Sequence, residues 1–173
     1  MSAMPSRDLP KYTVPSLSPE DGAKVAAILQ HRLHALNDLA LTLKHIHWNV
    51  VGPNFIAVHE MLDPQVDAVR LMVDATAERI ATLGVPPMGT PGALVAERTW
   101  EDYALGRASV NEHLTALDHV YVGVITDHRK AADATEGVDN VSNDLLMGHL
   151  HELELFHWFI RAHLETREGS LPS

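Results

Sequence analysis

His47–Arg79, HWNVVGPNFIAVHEMLDPQVDAVRLMVDATAER, is the stretch from which the architecture of this chain can be read. Its second part reads as one helix carrying His59, Asp63, Asp74 and Glu78. At about 100° per residue and with His59 at zero, Asp63 falls at about 40°, Asp74 at about 60° and Glu78 at about 100°. Those four make one polar stripe. Leu62, Val66, Val69, Val73 and Ile80 make an apolar stripe centred roughly 100° away, the spacing of a core-facing helix. The ligand-type side chains therefore point away from the bundle that their own helix packs in. From His59 to Glu78 is about 28 Å of helix, whereas metal ligands sit about 2.0–2.2 Å from an ion. One copy of the helix cannot gather all four.

The numbering offers a second copy as the remedy. Positions 59 and 78 sum to 137, as do 63 and 74, and also 67 and 70. Two helices crossing antiparallel about a two-fold axis near Ala68 and Val69 would set His59 and Asp63 of one chain against Glu78 and Asp74 of the other. Asp67 and Arg70 would meet across the same axis. A two-fold interface is self-complementary in this sense.

Working outward, 173 residues with 46% hydrophobic content support one domain with a real core. No apolar run approaches the length of a membrane span, and the start, MSAMPSRDLPKYTVPSLSPED, lacks the basic-then-apolar order of a signal peptide. The chain has no cysteine, which removes disulfides and thiolate metal sites and points to the cytoplasm. A net charge of −10, from 13 Lys+Arg against 23 Asp+Glu, opposes nonspecific binding to nucleic acid or anionic membrane. With twelve histidines and many carboxylates, any metal would be held by nitrogen and oxygen, as suits iron, zinc or manganese.

Residues 1–17 read as an extended arm, 18–166 as the folded domain and 167–173 as a short tail. Ser18-Pro19-Glu20-Asp21 has the order of a helix start, and the first helix runs to about Trp48, where Gly52-Pro53 stops it. Asn54 is placed as the cap of the second helix, which ends at Gly84. Pro64 lies inside that helix and predicts a kink, or a break near Asp63. Residues 85–99 hold room for a short helix at 93–98. Thr99 with Asp102 reads as a capping box opening a third long helix, with Val110, Leu114, Leu117, Tyr121 and Val124 as its core stripe. Ser142 or Asn143 caps a fourth, through about Leu164. With no strand alternation, this is an all-α four-helix bundle with one long crossover between the second and third helices.

Taken singly, Asp63, Asp74 and Glu78 read as solvated helix acids sooner than as ligands, and His59 as a surface or hydrogen-bonded histidine. Their combination with His47 is what singles them out. His47 and His59 lie at similar distances before and after the Gly52-Pro53 turn, so they stand at similar height on adjacent antiparallel helices. A competing di-iron pattern, Glu-x-x-His on two helices of one bundle, is matched once, at Glu154 and His157, which read as structural or surface residues. Trp48 reads as an anchoring aromatic, and Lys44 as a solvated or interface lysine.

The run His47-Trp48-Asn49, Gly52, Phe55, His59-Glu60 and Asp63, followed by Asp74 and Ala77-Glu78-Arg79, resembles the Dps mini-ferritins, in particular actinobacterial-like members. The likeness extends over the whole bundle to FHWFIRAHLE. It implies a ferritin-like bundle assembled as a hollow homo-dodecamer with ferroxidase sites at two-fold interfaces. There His47, His59 and Asp63 of one subunit would face Asp74 and Glu78 of another, hold iron, and oxidise Fe(II) with hydrogen peroxide for storage as ferric mineral. Trp48 would stand beside the site and intercept stray radicals. Asp139 and Asp144 are candidates for acidic three-fold entry pores. Family members that bind DNA directly often carry lysine-rich tails. The ends of this chain offer only Arg7, Lys11 and Arg167, so weak or absent DNA binding is expected, with a DNA-compacting shell as the alternative function.

Overall fold

A computed structural model describes residues 9–165. Among them, α1 (Pro19–Asn49), α2 (Phe55–Thr82), α4 (Val110–Thr135) and α5 (Asn140–Leu164) are the long helices. The short α3 (Pro91–Glu97) rides on the crossover between α2 and α4. Two-residue strands β1 (Val50–Val51) and β2 (Ala108–Ser109) pair in parallel, Val50 with Ala108 and Val51 with Ser109. This tie fixes the end of the crossover to the α1–α2 turn. No helix of the described residues is long and apolar enough to cross a membrane.

The start of α1 follows its sequence. Ser18 accepts the Asp21 N–H at 3.0 Å and Pro19 occupies the first turn, where a missing N–H costs nothing. Leu29, Leu36, Leu43 and Ile46 then face the core, with Leu62, Val66, Val69 and Ile80 of α2 opposite them, all at most 1% exposed. The apolar stripe read from the sequence is thus the buried one; Val73 packs at its edge.

Four local expectations are corrected, three of them here and the cap of the last helix below. First, α2 is not broken at Pro64; it is one helix from Phe55 to Thr82. Proline removes one backbone bond to the residue four earlier, which is Glu60, and Glu60 and Pro64 are both exposed. The freed carbonyl lies on the wet side while Leu62, Val66 and Val69 hold the dry side. Second, Asn54 precedes α2 in a left-handed conformation (φ 64°) and makes no side-chain cap bond. Asn is among the few residues that adopt this turn readily. Third, α4 begins at Val110 rather than near Thr99. Its capping box is Ser109 with Glu112, whose side chains reciprocally bind backbone N–H groups.

The segment before that cap is irregular but pinned. Trp100 Nε1 donates to Asp38 at 2.6 Å, the Tyr103 hydroxyl meets His113 Nδ1 at 2.8 Å, and His45 Nε2 meets the Leu105 carbonyl at 2.7 Å. Asp102 takes up Arg98 at 3.1 Å instead of capping a helix. At the fourth helix, Asp139 is the N-cap residue; Ser142 lies inside the first turn.

The described part of the N-terminal arm packs back on the bundle. Gly84 ends α2 at φ +86°, and a Cβ there would lie 2.1 Å from the Tyr12 carbonyl. Only glycine fits both the conformation and the close approach.

Candidate metal centre

The turn between α1 and α2 returns the chain so that the His47 and His59 rings stack, centroids 3.6 Å apart and inclined by 22°. Each ring is held by the other residue's backbone. His47 Nδ1 lies 2.9 Å from the His59 carbonyl, and His59 Nδ1 lies 2.8 Å from the His47 carbonyl. A carbonyl can only accept, so each Nδ1 carries the proton and each Nε2 keeps its lone pair. Metal-binding histidines are typically oriented in this way, by a hydrogen bond at the second nitrogen. His47 is buried, His59 half-buried. Phe55 stands edge-on to His59, with centroids 6.1 Å apart.

Asp63 lies one turn beyond His59. Its Oδ1 is 3.2 Å from His47 Nδ1 and 2.6 Å from Lys44 Nζ. The Lys44 hydrogen bond, aided by the two imidazoles, holds the Asp63 carboxyl below its ordinary range. From the sequence alone Lys44 is expected as a solvated or interface residue. It lies one turn before His47, on the same face of α1, and that spacing was the available signal. An ammonium already on the carboxylate competes with any cation for it.

Asp74 and Glu78 are exposed on α2. Among the described residues, no group of three or more His, Asp or Glu side chains stands close enough to hold an ion. One chain therefore brings His47 and His59 together, holds Asp63 beside them but turned toward Lys44, and leaves Asp74 and Glu78 farther along the helix. Trp48 is 70% exposed beside this end of α1.

The two pore candidates separate. Asp144 is exposed, while Asp139 is 7% exposed. Asp139 Oδ2 receives Arg79 Nη2 at 2.7 Å and the Ser142 hydroxyl. Burial would raise its pKa, but the bonds from Ser142 and Arg79 bring it below the ordinary carboxylate value. Arg79 also donates to Ser142 at 2.9 Å, so this arginine ties α2 just past Glu78 to the start of α5. No pattern along the chain marks that pairing, because its members lie 60 residues apart.

The remaining histidines divide between the surface, where His31, His119, His151 and His163 are exposed, and the interior. His157 pairs with Asp118 at 2.7 Å and Glu154 with Arg129, which occupies the lone Glu-x-x-His match with local partners. His128 and His149 face each other, centroids 6.1 Å apart, both buried. Burial first, then the nearby Arg32 and His149, lower the His128 pKa to about 3; burial lowers that of His149 to about 4.

Known proteins share this fold and much of this sequence. The ferritin-like domain family matches residues 26–169. The DNA protection during starvation protein of Mycolicibacterium smegmatis is 58% identical over 160 residues, covering 92% of this chain and 87% of that protein. The fine tangled pili major subunit of Haemophilus ducreyi is 51% identical over 160 residues, covering 92% of this chain and 85% of that one. Among solved structures, DpsA14 from Streptomyces coelicolor superposes with a TM-score of 0.93 at 58% identity, over 95% of this chain and 98% of that one. With its bundle, its crossover helix and these relatives all in agreement, the chain belongs to the Dps family of ferritin-like proteins.

Proposed function

We propose that this protein is a ferroxidase that oxidises Fe(II), with hydrogen peroxide as the preferred oxidant, and stores the ferric product inside a hollow dodecamer. The observation that carries the reading is the reciprocal lock on His47 and His59, which fixes both Nε2 lone pairs for a metal. Across a two-fold axis, Asp74 and Glu78 of a second subunit complete the set with Asp63. Iron is the substrate. Neutral imidazoles suit Fe(II), and the carboxylates favour the harder ferric product and can bridge two ions.

The reaction balances without any organic cofactor. Two Fe(II) give one electron each to one hydrogen peroxide, breaking its O–O bond; with two waters the products are two FeO(OH) and four protons. Lys44 gives up Asp63 when the cation arrives. Trp48, exposed beside the histidines, offers an oxidisable ring to any radical that escapes. Exposed acids such as Asp144 would draw Fe(II) inward, whereas Asp139 is engaged by Arg79.

The same chemistry protects DNA by removing iron and peroxide together, in the cytoplasm and beside the nucleoid. Direct DNA binding is expected to be weak, because a subunit charge of −10 repels phosphate. A gel shift at low salt should show no tight, salt-sensitive retardation. The test of the main reading is anaerobic Fe(II) titrated with peroxide. Ferric absorbance that rises faster than in a protein-free control, without hydroxyl radical reaching a spin trap, supports it, and a rate and radical yield equal to the control remove it.

A further inference from the structure

The histidine pair does not account for a second hollow, on the other side of α1. Between α1 and α4 lies a cavity of about 500 Å³, a volume typical of small-molecule sites. It exists because α4 presents Ala116, Val120 and Gly123 toward Ala35 and Leu39 of α1, side chains too short to close the gap. The crossover segment 100–105 runs along it, held by the Trp100–Asp38 and His45–Leu105 hydrogen bonds. The walls are apolar, and the rings of Trp100 and Tyr103 are part of the lining.

The charged lining is four carboxylates against one arginine: Asp38, Glu101, Asp102 and Asp127 with Arg32. Three of the acids are already occupied. Asp38 and Asp102 share Arg98, at 3.9 and 3.1 Å, and Asp127 holds Lys130 at 2.9 Å with Arg32 at 3.8 Å. Glu101 is exposed and closes no ion pair among the described residues; Arg98 acts on it only from a distance. An apolar hollow with aromatic walls and one carboxylate in no ion pair selects a particular guest. Hydrocarbon is favoured inside, and a cation is favoured at the acid and over an indole or phenol face.

We propose that the α1–α4 cavity binds a small aliphatic amine, its chain between the two helices and its ammonium at Glu101. The site is independent of the iron reading, since neither Glu101 nor Gly123 is among the iron-site residues.

Three six-carbon probes, hexylamine, hexan-1-ol and hexanoate, should be titrated into the intact assembled protein by ligand-observed NMR. Hexylamine is expected to bind about tenfold tighter than hexan-1-ol, as one charge-assisted contact provides, and hexanoate weakest. Glu101→Gln should abolish the preference for the amine while leaving hexan-1-ol unchanged. Gly123→Leu should block all three, because space beside Gly123 is open (nothing lies within 4 Å of a Cβ there) and leucine is a good helix former. Iron oxidation in both variants should match the parent protein. Equal affinity for amine and alcohol overturns the proposal. So does tightest binding of hexanoate, which would make Arg32 the recognition group. Binding of none overturns it too, meaning that a neighbouring subunit fills the cavity in the assembly.

Discussion

Two pairs of histidines face each other in this chain, His47 with His59 at the α1–α2 hairpin and His128 with His149 between α4 and α5. In the first, each Nδ1 is spent on a backbone carbonyl and both Nε2 atoms are left for chemistry, with a carboxylate alongside. In the second, His128 Nε2 and His149 Nδ1 are buried without a hydrogen-bond partner, and dehydration keeps both rings neutral. The difference lies in surroundings. Backbone hydrogen bonds orient a ligand without charging it, whereas a dry pocket with Arg32 nearby penalises a charge of the same sign.

The sharpest way to break that contrast is to remove the first pair's expected partners. Asp74→Ala with Glu78→Ala should lower the rate of peroxide-driven iron oxidation by about 10³-fold, taking roughly 10–100-fold for each ligand by analogy with outer-shell losses. Size-exclusion chromatography should show unchanged assembly. A near-native rate would remove both acids from the site.

The second pair should announce itself in acid. Its native pKa values of about 3 and about 4 lie below the ordinary histidine value of 6.5. As pH falls below about 6.5, the unfolded chain therefore takes up protons that the native state refuses. Stability is fully present above that pH and is lost on the way down to the native values, at about 1.4 kcal/mol per pH unit for each ring. Denaturant titrations at pH 7, 6 and 5 should show the slope, and His128→Phe should remove that ring's share. A stability curve flat over this range would contradict the burial argument.

Smaller effects sharpen the first pair. Lys44→Met removes the ammonium 2.6 Å from Asp63 and should tighten Fe(II) binding several-fold in an anaerobic calorimetric titration; weaker binding would make Lys44 a support of the site instead of a competitor. Trp48→Phe should leave the initial oxidation rate unchanged. Peptide mass spectrometry after turnover should then find oxidation moved from residue 48 to other side chains.

Much of the fold was legible because the long helices advertise themselves by period. Leu62, Val66, Val69 and Ile80 were read as a core stripe and are buried. The closeness of His47 and His59 was legible too, since a tight turn fixes which residues of a hairpin share a height. What escaped were facts that depend on nonlocal partners. The Thr99–Asp102 cap was outcompeted by Ser109–Glu112 because Trp100, Tyr103 and the Leu105 carbonyl all find partners on neighbouring helices. Pro64 proved harmless because the bond it deletes faces water, which only the folded helix reveals. Lys44 on Asp63 and Arg79 on Asp139 were missed for the same reason: a charge in a sequence does not name its counter-charge.

The central claim, that one site is built from two chains, is tested most directly by mixing. His59→Ala subunits and Glu78→Ala subunits should each assemble into inactive shells. Co-assembled at equal amounts, half of the two-fold pairs are mixed, and in each mixed pair one of the two sites is wholly native, so about a quarter of the parent activity should return. Activity that stays at the level of the separate variants would show that His59 and Glu78 do not meet across a subunit boundary.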